Sequence, residues 1–214
     1  MNRPTMHTIP FFPLPLALLP GEVMPLHIFE PKYLQMVNTC LQASQVGLPH
    51  RIGIVFVNRG TTSVVGCAAT IVKVAEIYED GRKDIFVRGT ERFKLHREQP
   101  EGPFPQVEIS YIDEEGETVE PAVRAKAIAL QRKLEELREG AKPIREIDKT
   151  VPLSFALAVT SSLDMSQKQQ LLEMQSENQR LLVLVEFYRR VIAEISEAVE
   201  IKRRISSNGH YPKF

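Results

Sequence analysis

The sequence predicts an α+β protein. A small, partly closed β-barrel with one early helix occupies residues 1–117, a helical part follows over 118–205, and a polar tail over 206–214 closes the chain. Three observations carry this. The hydrophobic period is two before the acidic run Asp113-Glu-Glu-Gly-Glu117 and helical after it. The first half holds six or so short strand-like stretches punctuated by glycine and proline, and closing such strands on themselves protects edges that an open meander would expose. Finally, the apolar run Ile9–Tyr33 is threaded with six prolines, Pro10, Pro13, Pro15, Pro20, Pro25 and Pro31. Proline holds φ near −65° and donates no backbone hydrogen bond, so this run is neither a single helix nor a central strand.

Taken in order, Ile9–Leu14 reads as an edge strand, Pro20-Gly21 as a turn and Val23–Phe29 as a second strand. Pro31 suits the first position of a helix, and Leu34, Val37 and Leu41 continue it at helical spacing to about Ala43. At its start, Glu30 complements the helix dipole and can bond free amides. Ile52–Val57 is a short apolar run suited to a buried strand. The stretch Val64–Tyr78 is longer, with a bulge or bend expected at Gly66 and one wet face expected where residues alternate from Val72 to Tyr78. Glu79-Asp-Gly-Arg82 is a hairpin turn, and Asp84–Arg88 the returning strand. Gly89-Thr90 breaks it, Arg92–His96 continues, and Gln106–Ile112 alternates cleanly. Charges flanking Phe86 and Phe93 turn both rings inward and leave Arg88 and Arg92 in water.

Past the acidic run, Val123, Ala127, Leu130, Leu134 and Leu137 form one apolar helix stripe ending at Gly140. Pro152–Val159 is a second, more hydrophobic helix, and Asp164 caps a short third one ending near Met174. Ser176 caps a fourth, with Gln179 in the capping-box position. Leu181, Val185, Tyr188, Ile192, Ile195 and Val199 lie on its inner face, and the helix runs to about Arg204.

Hydrophobic content of 43% with 25% charged residues is that of an ordinary globular chain. Lysine plus arginine (27) balances aspartate plus glutamate (27), whereas domains that neutralise phosphates carry a basic excess. Nucleic acid is therefore disfavoured. The opening run is too interrupted to span a bilayer and lacks the basic flank of a signal peptide, so a cytoplasmic protein is expected. Cys40 and Cys67 show no ligand or redox spacing and read as reduced core residues.

No catalytic constellation emerges. Lys149-Thr150 follows no glycine-rich turn, so it is no phosphate loop. Ser166 and Lys168 sit at a helix start, where capping explains them. The histidines His7, His27, His50, His96 and His210 have no metal-ligand spacing, and His27 reads as a hydrogen-bonded structural residue at a strand end. Glu135-Glu136 and Asp113–Glu117 read as solvated faces. No catalytic residue, metal or cofactor is expected.

The residues Phe12-Pro-Leu-Pro-Leu16, Leu19-Pro-Gly21 and Pro25-Leu-His-Ile-Phe-Glu-Pro-Lys-Tyr33 resemble the opening of the substrate-binding domain at the N-terminus of Lon-type ATP-dependent proteases. Val65-Gly-Cys-Ala-Ala69, Asp80-Gly-Arg82 and Phe86-Val-Arg-Gly-Thr-Glu-Arg-Phe93 resemble that family's later signatures, and the likeness runs to about Ile195. The resemblance implies a PUA-like pseudobarrel followed by a helical bundle, in a stand-alone form without the ATPase module or the serine–lysine peptidase module. It implies a non-catalytic module for unfolded or apolar polypeptide, acting as an adaptor or quality-control factor beside a protease or chaperone. RNA binding through the PUA-like barrel is the alternative. Candidate anchors for polypeptide are Phe11, Leu16, Leu18 and Phe29, which lie beside prolines where the backbone cannot be fully paired in a sheet.

Overall fold

The computed structural model describes residues 5–48, 50–99, 102–114, 118–137 and 149–208. These residues form a mixed α/β structure, with seven strands and five helices among them. The strands are β1 (His7–Leu14), β2 (Val23–Ile28), β3 (Ile52–Asn58), β4 (Thr61–Thr62), β5 (Val65–Ile77), β6 (Lys83–Gln99) and β7 (Gln106–Tyr111). The helices are α1 (Pro31–Gln45), α2 (Pro121–Leu137), α3 (Leu153–Val159), α4 (Met165–Glu173) and α5 (Glu177–Asn208).

The pairings close on themselves. From β1 the ladder runs antiparallel through β7, β6, β5 and β3, and β3 pairs back onto β1 in parallel. The core inside this five-strand ring contains Ile9, Phe11, Val55, Ala68, Phe93, Val107 and Ile109, so every ring strand contributes. β1 therefore has a neighbour on each side, each along only half of its length. Its first half pairs with β7 (His7↔Ile109 to Pro10↔Gln106) and its second with β3 (Phe11↔Gly53 to Leu14↔Phe56). Each half is paired on one side only, so a proline is tolerated where its missing N–H falls on the other.

Gly89 does not break a strand, for β6 runs without interruption across it. Instead it lets the Pro20 turn come close: a Cβ there would lie 2.2 Å from the Leu19 carbonyl oxygen. Gly21 N–H donates to the Gly89 carbonyl and Gly89 N–H to that of Glu22, both at 2.9 Å. Gly66 serves closeness too, since a Cβ would lie 2.6 Å from both the Ile54 oxygen and the Phe93 ring, and a register shift follows between Cys67 and Ala69. Further shifts at Ile71/Lys73 and Val74/Glu76 disrupt the alternation expected from Val72 to Tyr78. The 79–82 turn forms as expected, closed by Tyr78 N–H to the Arg82 carbonyl at 2.9 Å.

The face assignment on β6 is half corrected. Phe93 is buried in the ring and Arg88 is exposed. Phe86 is only partly buried, on the outward face of β6, and Arg92 is 1% exposed. Alternation assumes one wet face. Around Phe93 both faces of β6 are covered, so neighbours of opposite parity are both interior.

Contacts divide the chain into two compact units, one of Met1–Glu115 with Asp148–Gln175, the other of Gly116–Ile147 with Ser176–Phe214. This differs from the chain-order boundary expected near residue 117: α3 and α4 belong with the strands. Lys168 of α4 pairs with Glu22 at 2.5 Å, and Gln169 donates to the Val65 carbonyl at 3.0 Å. In the other unit α2 and α5 pack together, with Ala127, Leu134, Leu181, Val185 and Tyr188 buried. Leu137 and Val199, expected on the inner stripes, are exposed. The expected helix end at Gly140 and the polar tail's last residues, 209–214, lie outside the described residues.

Candidate functional site

Beyond the ring, β6 and the second half of β5 continue as a ribbon, and β2 joins on the other side of β6. Register places Val23 opposite Arg88, Pro25 opposite Phe86 and His27 opposite Asp84. Residues directly opposite in an antiparallel pair share a face, so Val23, Pro25 and His27 line one side of this sheet with Phe86. Val23 is 42% exposed and Pro25 is exposed. Phe29, just past the end of β2, is 60% exposed, and its ring stacks on His27 with centroids 6.0 Å apart. The result is an open strip along β2 in which Val23, Pro25 and Phe29 are apolar, with Arg88 and Asp84 on the same face by register.

A polar cluster anchors its end. His27 Nδ1 lies 2.6 Å from Asp84 Oδ1, and Tyr78 donates its hydroxyl to Asp84 Oδ2 at 2.7 Å. An ionised carboxylate only accepts, so Nδ1 carries the proton. The bond from His27, helped by that from Tyr78, lowers the Asp84 carboxyl below its usual range. Asp84 in turn pushes the Tyr78 phenol up to about 12. The arrangement ties the end of β2 to β6 and to the residue that follows β5.

The four sequence-derived anchors separate. Phe11 is 4% exposed and belongs to the ring core; Leu18 is 1% exposed. Neither is open to a ligand. Leu16 is half-buried, and Phe29 is open. The sequence reading missed Val23, Pro25 and Phe86 as surface partners of Phe29. Period-two spacing of Val23 and Pro25 was the available signal; the pairing of Phe86 with Pro25 was not readable locally.

The largest surprise is Arg92. Its Nε donates to Glu114 Oε1 at 2.7 Å, and its Nη1 to the carbonyls of Leu172 and Met174, each at 2.7 Å. Its guanidinium also lies 5.4 Å from the Phe155 ring. Glu114 is therefore no simple solvated charge, and Arg92 joins β6 to the end of α4, where a cation favours the helix dipole. Nor does Glu30 cap α1 with its side chain; it pairs with Lys32 at 3.3 Å. Burial raises the Cys67 thiol to about 12 and the Cys40 thiol to about 11, so both are poor nucleophiles. Among the described residues no group of three or more His, Cys, Asp or Glu side chains could hold a metal ion, and no helix is long and apolar enough to cross a membrane.

The described residues thus form a closed strand ring bearing an outer β-ribbon, with α3 and α4 in the same compact unit, and a separate unit of α2 and α5. The family profile of the ATP-dependent protease La (LON) substrate-binding domain matches residues 8–190, and the chain belongs to that family. It is 22% identical over 218 residues to the Lon protease of Cytophaga hutchinsonii, covering 91% of this chain and 25% of that protein's length. A Lon N-terminal domain protein from Xanthomonas campestris superposes with a TM-score of 0.64 at 24% identity, over 84% of this chain and 98% of the other. The N-terminal domain of the Mycobacterium avium complex Lon protease gives 0.61 at 21% identity, over 86% and 98%. At these identities the structural likeness speaks for the fold.

Proposed function

We propose that the chain is a non-catalytic, cytoplasmic polypeptide-binding module that acts as an adaptor or quality-control factor beside a protease or chaperone. In this reading the strand ring is a PUA-like pseudobarrel and the C-terminal helices form its companion bundle. Membership of a substrate-binding-domain family supports a polypeptide ligand at the family level. The observation that carries the reading is the open stripe of Val23, Pro25 and Phe29 beside half-buried Phe86. Apolar side chains on an edge strand supply a surface for an extended apolar segment, while Pro25 limits indiscriminate strand addition.

Binding of a labelled, permanently unfolded polypeptide at low and high salt tests this, using the chain as it stands and Val23→Ser and Phe29→Ser variants. Losing the contact of one large apolar side chain should weaken affinity about tenfold, with little salt dependence. Both variants should keep the thermal midpoint. If affinity collapses with salt while both variants bind normally, the contact is electrostatic and the reading fails. Turnover of the polypeptide or of ATP, abolished by a substitution in this chain, would overturn the non-catalytic part.

A further inference from the structure

The ring has a second feature that the apolar stripe does not use. Because β1 pairs with β3 only from Phe11 onward, the seam between them is open at one rim. His7–Pro10 of β1 there faces the segment leading into β3, and a cavity of about 690 Å³ occupies the gap. That volume lies within the range of small-molecule sites, and barrel mouths are a common place for them.

Its lining combines one cation and three aromatic rings with an apolar part from Ile9, Pro10 and Leu48. Arg51, His7, His50 and Tyr111 line it with the hydroxyls of Thr8 and Thr70, and no carboxylate is among the lining residues. Tyr111 organises the site. The Arg51 guanidinium lies 5.1 Å from its ring centroid, and the His7 ring lies 5.1 Å from it at a tilt of 54°. One ion pair to Glu91 holds Arg51. Glu91 is half-exposed, so that pair is weak, and a guanidinium has five donors. His50 Nδ1 sits 3.1 Å from the Leu48 carbonyl, which can only accept. Nδ1 therefore carries a proton, and in the neutral ring Nε2 is an acceptor, able to meet only the O–H of a protonated acid.

We propose that this rim cavity is a binding site for a small oxyanion, a carboxylate or phosphate monoester, gripped by the Arg51 guanidinium and flanked by the His7, His50 and Tyr111 rings. Forked guanidinium donors match two oxygens of either group, and the two threonine hydroxyls supply further donors. The carboxylate could be borne by a free metabolite or by the end of a polypeptide. The shared chemistry is the oxyanion, and the site is independent of the stripe on β2.

The test is titration of the full chain, followed by NMR of the His7, His50 and Tyr111 rings. Three probes are used: phenyl phosphate, a short peptide with a free C-terminal carboxylate, and the same peptide amidated. Saturable shifts of these rings by phenyl phosphate or the free-acid peptide, absent with the amide, are expected. Arg51→Gln should weaken binding about tenfold or more. Glu91→Gln removes the competing carboxylate from an exposed position and should tighten binding, which keeps the proposal testable should Arg51→Gln fold poorly. Response to phenyl phosphate alone assigns a free small anion, and response to the free-acid peptide assigns a chain terminus. Absence of saturable shifts with every probe, equal response to the amide, or unchanged affinity in both variants would overturn the site. Val23→Ser should leave these titrations unchanged, so this site and the polypeptide surface fail separately.

Discussion

Arg92 shows how much one residue can organise. Its guanidinium is out of water, yet a carboxylate and two backbone carbonyls accept from Nε and Nη1, and an aromatic face lies against it. Removing one partner from such a buried network is costly, because the remaining polar groups stay desolvated. Arg92→Ala should therefore lose roughly 3–5 kcal/mol in urea unfolding, and Arg92→Lys should recover little, since an ammonium cannot span the same fork of acceptors. A loss below about 1 kcal/mol would show that the network is dispensable. The Tyr78–Asp84 pair makes a pH prediction. The phenol is raised from 10.0 to about 12, so its contribution to stability is complete below pH 10 and is lost as pH rises towards 12. Asp84 is lowered, so its contribution is present above 3.8 and fades as pH falls below that. Phenolate absorbance should include a late-titrating component from Tyr78, and Asp84→Asn should return it towards pH 10. A titration unchanged by that substitution would remove Asp84 as the cause.

At the scale of elements, the helices behave as their local chemistry dictates. Asp164 accepts from Gln167 N–H at 2.8 Å, and Gln167 Oε1 accepts from Asp164 N–H at 2.9 Å, a complete capping box on α4. Ser176 Oγ accepts from Gln179 N–H at 3.2 Å at the head of α5. Asp164→Ala should cost about 1 kcal/mol of stability by thermal unfolding, and Asp164→Asn much less. Equal losses for the two would mean that charge, not capping, carries the effect. These helix starts were legible because an N-cap and its partners lie within four residues of one another. The strands were less so. Glycine 89 reads locally as a break, and only the approach of the Pro20 turn shows it as a contact point within an unbroken β6.

For the whole molecule, the unit boundary matters most. A fragment of residues 1–117 keeps the seven described strands but lacks α3 and α4, and with them the two carbonyl acceptors of Arg92 and the partner of Glu22. It should bind an apolar dye and melt without a sharp transition, whereas a chain retaining α3 and α4 should not. Dispersed amide resonances and no dye binding from 1–117 would show that the strands are self-sufficient. By itself the sequence determined most of the elements and their order, the 79–82 turn, the caps of α4 and α5 and the family, because each depends on neighbours a few residues apart. The candidate site was half legible: Phe29 was singled out, but Phe11 and Leu18 were indistinguishable from it in a uniformly apolar, proline-rich run. Tertiary structure decided which of these apolar residues are core, that Arg92 is interior, and that the seam between β1 and β3 opens at one rim. Each of those depends on strand register and on segments up to 82 residues apart, as Arg92 and Met174 are, and no local pattern encodes such distances.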